Sequence, residues 1–235
     1  LCYAVPLKAM SGRKAPKIVA SINTTDFVSD RESRFMLLYR ALLRKCDRIV
    51  FGAKRQQETW RDRYRLQDVR SDVVYNGVDT DRFNTDAVMP ESADIRHQLG
   101  IPADAVVIVS VGQFRPEKAQ GDLVRAASGL PDSMKVHVLL VGDGAERENL
   151  EACIEQSAMI ERCHLVGAVD DVRPFLKVAN IFALPSIAVE TFSNAALEAA
   201  SMGLPVGMSD IGGAAEMFPG QMAATCVPPG DVSAL

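Results

Sequence analysis

Six consecutive residues, Val106-Val-Ile-Val-Ser-Val, carry one small hydroxyl and otherwise only β-branched apolar side chains. A strand with one wet face alternates apolar and polar residues. This run does not alternate, so both of its faces must be covered, as in the centre of a parallel sheet. Parallel neighbours need long crossover connections, normally helices. The chain supplies them, because strand-like runs alternate with helix-like runs from residue 17 to residue 228. That series predicts an α/β protein with doubly wound parallel sheets and right-handed crossovers. Ligands of such sheets bind beyond the carboxyl ends of the strands.

The alternation comes in two series. The first has strands over 17–22, 48–52 and 72–75, with an amphipathic helix over 32–46 and a second helix over 53–66. Asn76-Gly-Val-Asp-Thr-Asp-Arg-Phe then signals a turn, since Asn-Gly tolerates positive backbone angles and Asp caps locally. The stretch to about residue 104 is richer in Asp and Pro, and the domain boundary is placed there. The second series has strands over 106–111, 135–141, 164–167, 181–184, 205–208 and 225–228, with helices between them. Residues 1–76 are thus read as the C-terminal part of one Rossmann-like domain, 77–104 as a connection, and 105–235 as a second Rossmann-like domain.

The composition, 48% apolar and 24% charged over 235 residues, is that of an ordinary globular protein. No run approaches the roughly 20 apolar residues of a membrane-spanning helix. The five cysteines are scattered without C-x-x-C or metal-ligand spacing and read as reduced thiols of a cytoplasmic protein. Residues 31–70 carry twelve Lys or Arg and five Asp or Glu, a net of +7 within a chain of formal net charge −4. Such a basic segment is consistent with peripheral contact to the anionic inner face of a membrane or with a charged acceptor. Few aromatics interleave with it, which argues against nucleic acid. His97, His137 and His164 stand in unconnected contexts, the latter two inside strand runs, so no Ser-His-Asp or metal constellation emerges.

The chemistry concentrates between Pro185 and Pro205, PSIAVETFSNAALEAASMGLP. A buried strand ends at Pro185, and Ser193 or Asn194 caps a run of strong helix formers that Gly203 and Pro205 stop. Glu190 therefore lies on a loop at a strand's carboxyl end, and Glu198 about one turn inside the helix. Free amide hydrogens at a helix N-terminus, with the helix dipole behind them, hold phosphate. A loop carboxylate can accept from sugar hydroxyls, and one a turn further along can take the two hydroxyls of a ribose. The plainer alternative is a cap followed by a solvated glutamate. Two other strand-end loops carry suitable groups. Gly112-Gln-Phe-Arg-Pro-Glu-Lys offers Arg115 and Lys118, two cations able to clamp a diphosphate. Ser209-Asp-Ile-Gly-Gly-Ala-Ala-Glu joins a glycine pair to Glu216.

These loops carry a resemblance. VVYNGVDTDRF at 73–83, VSVGQFRPEKAQ at 109–120, LLVGDGAERENL at 139–150, VGAVDD at 166–171, ETFSNAALEAASMGLPV at 190–206, SDIGGAAE at 209–216 and VPPGD at 227–231 resemble, in order and spacing, the group 1 glycosyltransferases of family 4. Those are retaining enzymes of the GT-B fold, and the likeness covers nearly everything from about residue 17 onward. It implies two α/β domains facing across a cleft, the C-terminal one holding a nucleotide sugar and the N-terminal one a carbohydrate or lipid-linked acceptor. Lys118 and a nearby arginine, here Arg115, would hold the donor diphosphate. Glu190 would lie by the donor sugar, with the Thr191, Phe192, Ser193 and Asn194 backbone meeting sugar and phosphate. Glu198 would bind the ribose and the loop at Val169 the base. No metal or other cofactor is expected, because cations and the helix dipole do the electrostatic work. The implied activity is hexosyl transfer from a UDP- or GDP-sugar; the alternative is a non-catalytic nucleotide-sugar-binding or scaffold protein of the same fold.

Three positions depart from that pattern. Gln113 follows Gly112 where the family often has arginine, so Arg115 would have to reach the same phosphate. Thr191-Phe192-Ser193 stands where the family usually reads Gly-Phe-Gly. Asn23 ends the first strand in place of a histidine, able to hydrogen-bond a sugar but not to carry a proton charge. The chain also reads as a fragment, lacking the first half of the N-terminal domain and the helix that crosses back after the last strand.

Overall fold

The structure, a computed structural model, describes residues 4–10, 15–24, 30–86, 95–218 and 224–235. It contains two sheets, both wholly parallel. The first is three-stranded, in the order β1 (Val19–Ile22), β2 (Arg48–Phe51), β3 (Ser71–Val73). The second runs β6-β5-β4-β7-β8-β9, from β4 (Val106–Val111), β5 (Val136–Val141), β6 (Cys163–Gly167), β7 (Ile181–Leu184), β8 (Val206–Ser209) and β9 (Ala224–Val227). The unbroken apolar run at 106–111 is β4. It lies in the middle of its sheet, with Val107 and Val109 fully buried and Val106 and Ile108 packed against the apolar layer on the other face. Chain order reverses beside β4: β5 and β6 extend one way, β7 to β9 the other. The carboxyl ends of β4 and β7 therefore bound the crevice where a doubly wound sheet takes its ligand.

Each sheet has its own core. Trp60 on the helix Lys54–Tyr64 packs with Phe51, Ile49 and Leu66 against the first sheet. Phe182, Leu139, Ala196 and Met208 fill one face of the second, and Val138, Leu140 and Val124 the other. Phe83 and Ile101, from the connecting stretch, also pack into the second core.

Most elements fall where the pattern of side chains puts them, with instructive differences. β3 stops at Val73; Val74 and Tyr75 leave it exposed, and Tyr75 turns to meet Phe192 and Glu216 of the second unit. A helix at Ala4–Met10 was not legible in the sequence; Pro6 is tolerated there because first-turn amides have no partner within the helix. The helix read over 32–46 runs Asp30–Leu43. Among the described residues no helix is long and apolar enough to cross a membrane.

Candidate functional site

The helix Asn194–Ser201 has both of its ends specified locally. Ser193 takes the N-cap, its Oγ accepting from the Ala196 amide at 3.3 Å, which decides between the two candidate caps. At the other end Gly203, at φ +80°, closes a Schellman turn: Leu204 N–H donates to Ala199 O (3.1 Å) and Gly203 N–H to Ala200 O (2.9 Å). Glu198 is half-buried, and among the described residues its carboxylate accepts no hydrogen bond. Burial pushes its pKa up, opposed by the charge of Arg82. A carboxylate kept partly dry without a donor is suited to a ligand that brings hydroxyls.

Lys118 and Glu190 meet at the crevice. Lys118 ends the short turn Pro116–Lys118 after β4, and its Nζ lies 2.5 Å from Glu190 Oε2, on the loop after β7. Ser186 Oγ donates to the same oxygen at 3.2 Å, and Ile187 N–H to Glu117 O at 2.9 Å, tying the two loops together. Both charges are largely shielded from solvent, with side chains 26% and 13% exposed, so the pair acts in a lower dielectric than bulk water. Val189, immediately before Glu190, is held at φ +64°, a left-handed conformation that is strained for a β-branched residue. The loop is restrained from behind by Gly212 (φ +55°), where a Cβ would fall 2.0 Å from Glu190 O. Gly213 N–H donates to Thr191 O at 2.7 Å.

Two cavities share Val189 and Glu190 as a wall. One, of about 360 Å³, lies between the units, lined by Asn23, Gly52 and Asn76 of the first and by Glu190, Thr191 and Asn194 of the second. The other, of about 680 Å³, is bounded by Arg55, Thr59, Ile187, Asp210 and Pro228.

The structure thus brings Asn23, Glu190, Thr191, Phe192 and Asn194 to one cavity, with Lys118 paired to Glu190 behind it. Phe192 and Ser193 are engaged otherwise through their side chains: the Phe192 ring is buried against Tyr75 with centroids 4.9 Å apart, and Ser193 is the cap. Their backbones remain at the helix N-terminus. Gly112 extends from β4, its N–H bonded to Val141 O at 3.0 Å, and Gln113 is exposed, its carbonyl accepting from Gln120. Val169 lies past the carboxyl end of β6, half-buried against the core. Arg115 is not brought to the Lys118–Glu190 pair. Its guanidinium is 3.8 Å from Glu117 and lines a separate cavity beside the helices Gln120–Ser128 and Arg147–Gln156. Among the described residues no three His, Cys, Asp or Glu side chains gather as a metal site.

One residue of consequence escaped the sequence reading. Gln56 is fully buried; its Nε2 donates to Ile22 O (3.0 Å) and Thr24 O (2.7 Å), on either side of Asn23, and its Oε1 accepts from Gly52 N–H (2.8 Å). A polar residue inside a basic, amphipathic helix was the only signal, and it is a weak one.

Two parallel α/β units, with a cation, a carboxylate and a helix N-terminus gathered at a topological switch point, make up a protein of the GT-B fold. The family model described as Glycosyl transferases group 1 matches residues 105–235, and that described as Glycosyltransferase Family 4 matches residues 2–82. The chain belongs to the group 1 glycosyl transferases. It is 37% identical over 111 residues to the lipopolysaccharide core biosynthesis glycosyltransferase LpsE of Rhizobium meliloti, covering 47% of this chain and 32% of that protein. It is 31% identical over 176 residues to a D-inositol 3-phosphate glycosyltransferase of Mycobacterium sp., covering 72% of this chain and 38% of that protein. Among solved structures, Anabaena Alr3699/HepE in complex with UDP superposes with a TM-score of 0.82 at 21% identity, over 98% of this chain and 64% of that one. Sucrose-phosphate synthase of Thermosynechococcus elongatus gives 0.80 at 24% identity, over 96% and 58%. The chain spans about a third to two-fifths of the length of the curated relatives it matches.

Proposed function

We propose that this chain works as a retaining glycosyltransferase that moves a hexose from a UDP- or GDP-sugar to a polysaccharide or lipid-linked acceptor. The observation that carries the reading is the Lys118–Glu190 pair at the switch point, beside the Asn194–Ser201 helix N-terminus. The diphosphate lies against that N-terminus, and Lys118 exchanges Glu190 for phosphate oxygen. Glu198 holds the ribose and the loop at Val169 the base. Glu190, released from Lys118, accepts from hydroxyls of the donor sugar. As the bond from the anomeric carbon to the diphosphate breaks, Lys118 stabilises the charge that grows on the leaving phosphate. The acceptor oxygen bonds to the same face of that carbon, and its proton passes to the departing phosphate oxygen. A transferase needs two substrates to meet at one atom, and the two cavities that share Glu190 support this. No metal is required in this reading, because Lys118 and the helix dipole face the diphosphate. The bias of Lys and Arg in 31–70 supports peripheral attachment to an anionic membrane surface on the cytoplasmic side.

Calorimetric titration of UDP, GDP and ADP, with and without Mg²⁺, tests it. One nucleoside diphosphate should bind without metal, and Lys118→Ala should weaken it roughly tenfold or more, as loss of a charge-assisted contact does. Equal affinity in wild type and K118A would refute the assignment of Lys118 to the diphosphate.

A further inference from the structure

Glu216 lies on the second unit's helix Ala214–Met217, yet its carboxylate is bound by the first unit. Oε1 accepts from the Arg55 amide at 2.7 Å; Oε2 accepts from the Lys54 amide at 2.8 Å and from the Tyr75 hydroxyl at 2.8 Å. Lys54 and Arg55 open the helix Lys54–Tyr64, whose own N-cap, Ala53, has no side-chain acceptor. A helix start normally finds its capping oxygen one to three residues away. Here it comes from across the interface, and it brings a full negative charge to the positive end of the dipole. Burial alone would raise the carboxyl pKa, but the two amides and the phenol outweigh it and hold Glu216 below the usual range.

Glu216's own loop reaches both halves of the 360 Å³ cavity. On the second unit's side, Gly212 and Gly213 back against Glu190 O and Thr191 O. On the first unit's side, the capped helix carries Gln56, which grips the carbonyls flanking Asn23. A Cβ on Gly213 would lie 2.6 Å from Ala53 Cβ, so the units meet here with no room to spare. We propose that Glu216 is a positioning residue: by capping the first unit's helix it sets Asn23 opposite Glu190 at the spacing that sugar transfer needs. This rests on the transferase reading above. The Arg55–Asp210 ion pair, at 2.7 Å with both side chains about half exposed, adds little beside it.

The test uses Glu216→Gln, which keeps the shape but removes the charge and one acceptor, and Glu216→Ala, with Asp210→Asn as control. Amide hydrogen exchange at Lys54 and Arg55 should speed up on the order of tenfold or more in both Glu216 variants and stay unchanged in D210N. UDP affinity should change less than about threefold, because Glu216 bonds the first unit's helix and neither Lys118 nor Glu198, while turnover with a nucleotide sugar falls roughly tenfold or more. A thermal melt shows that each variant is folded; if E216A is not, E216Q decides. Unchanged exchange at Lys54 and Arg55 in a folded variant overturns the proposal. So does a loss of UDP affinity as large as the loss of turnover, which would mean that Glu216 serves the nucleotide pocket itself. If wild type neither binds UDP or GDP nor transfers sugar, the transferase reading fails and the positioning role falls with it, whereas the exchange data still report whether the cap exists.

Discussion

Three glycines separate two costs that are usually confounded. Gly212→Ala meets both. Its φ of +55° places an L-residue in the left-handed region, and the new Cβ would sit 2.0 Å from Glu190 O. The conformational part costs about 1–2 kcal/mol. The contact must open by more than 1 Å, an overpacking of about 1–3 kcal/mol if the Glu190 loop yields. The sum, about 2–5 kcal/mol, corresponds to a fall in melting temperature of order 10 °C. Gly100→Ala meets only the first cost, since φ is +65° but nothing lies within 4 Å of its Cβ. Gly77→Ala meets neither, with open space and no left-handed φ. Melts of the three variants should therefore rank Gly77 near zero, Gly100 at about 1–2 kcal/mol and Gly212 clearly largest. Only Gly212→Ala should also disturb Glu190, whose displacement by about 1 Å can lower turnover about a hundredfold. Equal melts for G100A and G212A would show that the loop is slack and that Gly212 does not support Glu190.

Other expectations follow from single features. Glu198→Ala should weaken UDP about tenfold, and a diphosphate lacking ribose hydroxyls hardly at all, by paired titrations; equal losses would remove Glu198 from the ribose. The rings of His137 and His164 stack at 5.5 Å, and burial holds both pKa values below the ordinary histidine range, helped at His137 by Arg162 and Arg96 and at His164 by His137. The unfolded chain then binds protons that the folded one refuses, so stability should decline as pH falls below about 6.5, and His137→Asn should flatten that slope in melts against pH. Burial pushes the Cys163 thiol up to about 12, so a native-state alkylating reagent at pH 8 should spare it while modifying exposed Cys226, as peptide mapping would show.

The β-branched run of β4 announced a sheet covered on both faces, because β-branched residues favour strands and an unbroken apolar strand leaves neither face to water. The stop of the helix Asn194–Ser201 was equally legible, and its cap was narrowed to Ser193 or Asn194, since caps and stops act through bonds a few residues long. Their spacing in turn put Glu198 inside the helix and Glu190 before it. What the linear pattern could not carry was pairing across distance. Lys118 and Arg115 look equivalent in one short loop, and only the adjacency of β4 and β7 sends Lys118 to Glu190 while Arg115 faces other helices. Glu216 read as one end of a glycine motif, and Gln56 as one polar residue on a basic helix. Glu216's role exists only where the two units touch, and Gln56's only where its helix packs on the end of β1, because a hydrogen bond needs its partner within about 3 Å and the partners here are far apart in the chain. Local chemistry, then, was determined by the sequence itself: element type, caps, and the residues proposed to meet phosphate or ribose. The choice among those residues, and the contact that holds one unit over the other, was decided by tertiary packing.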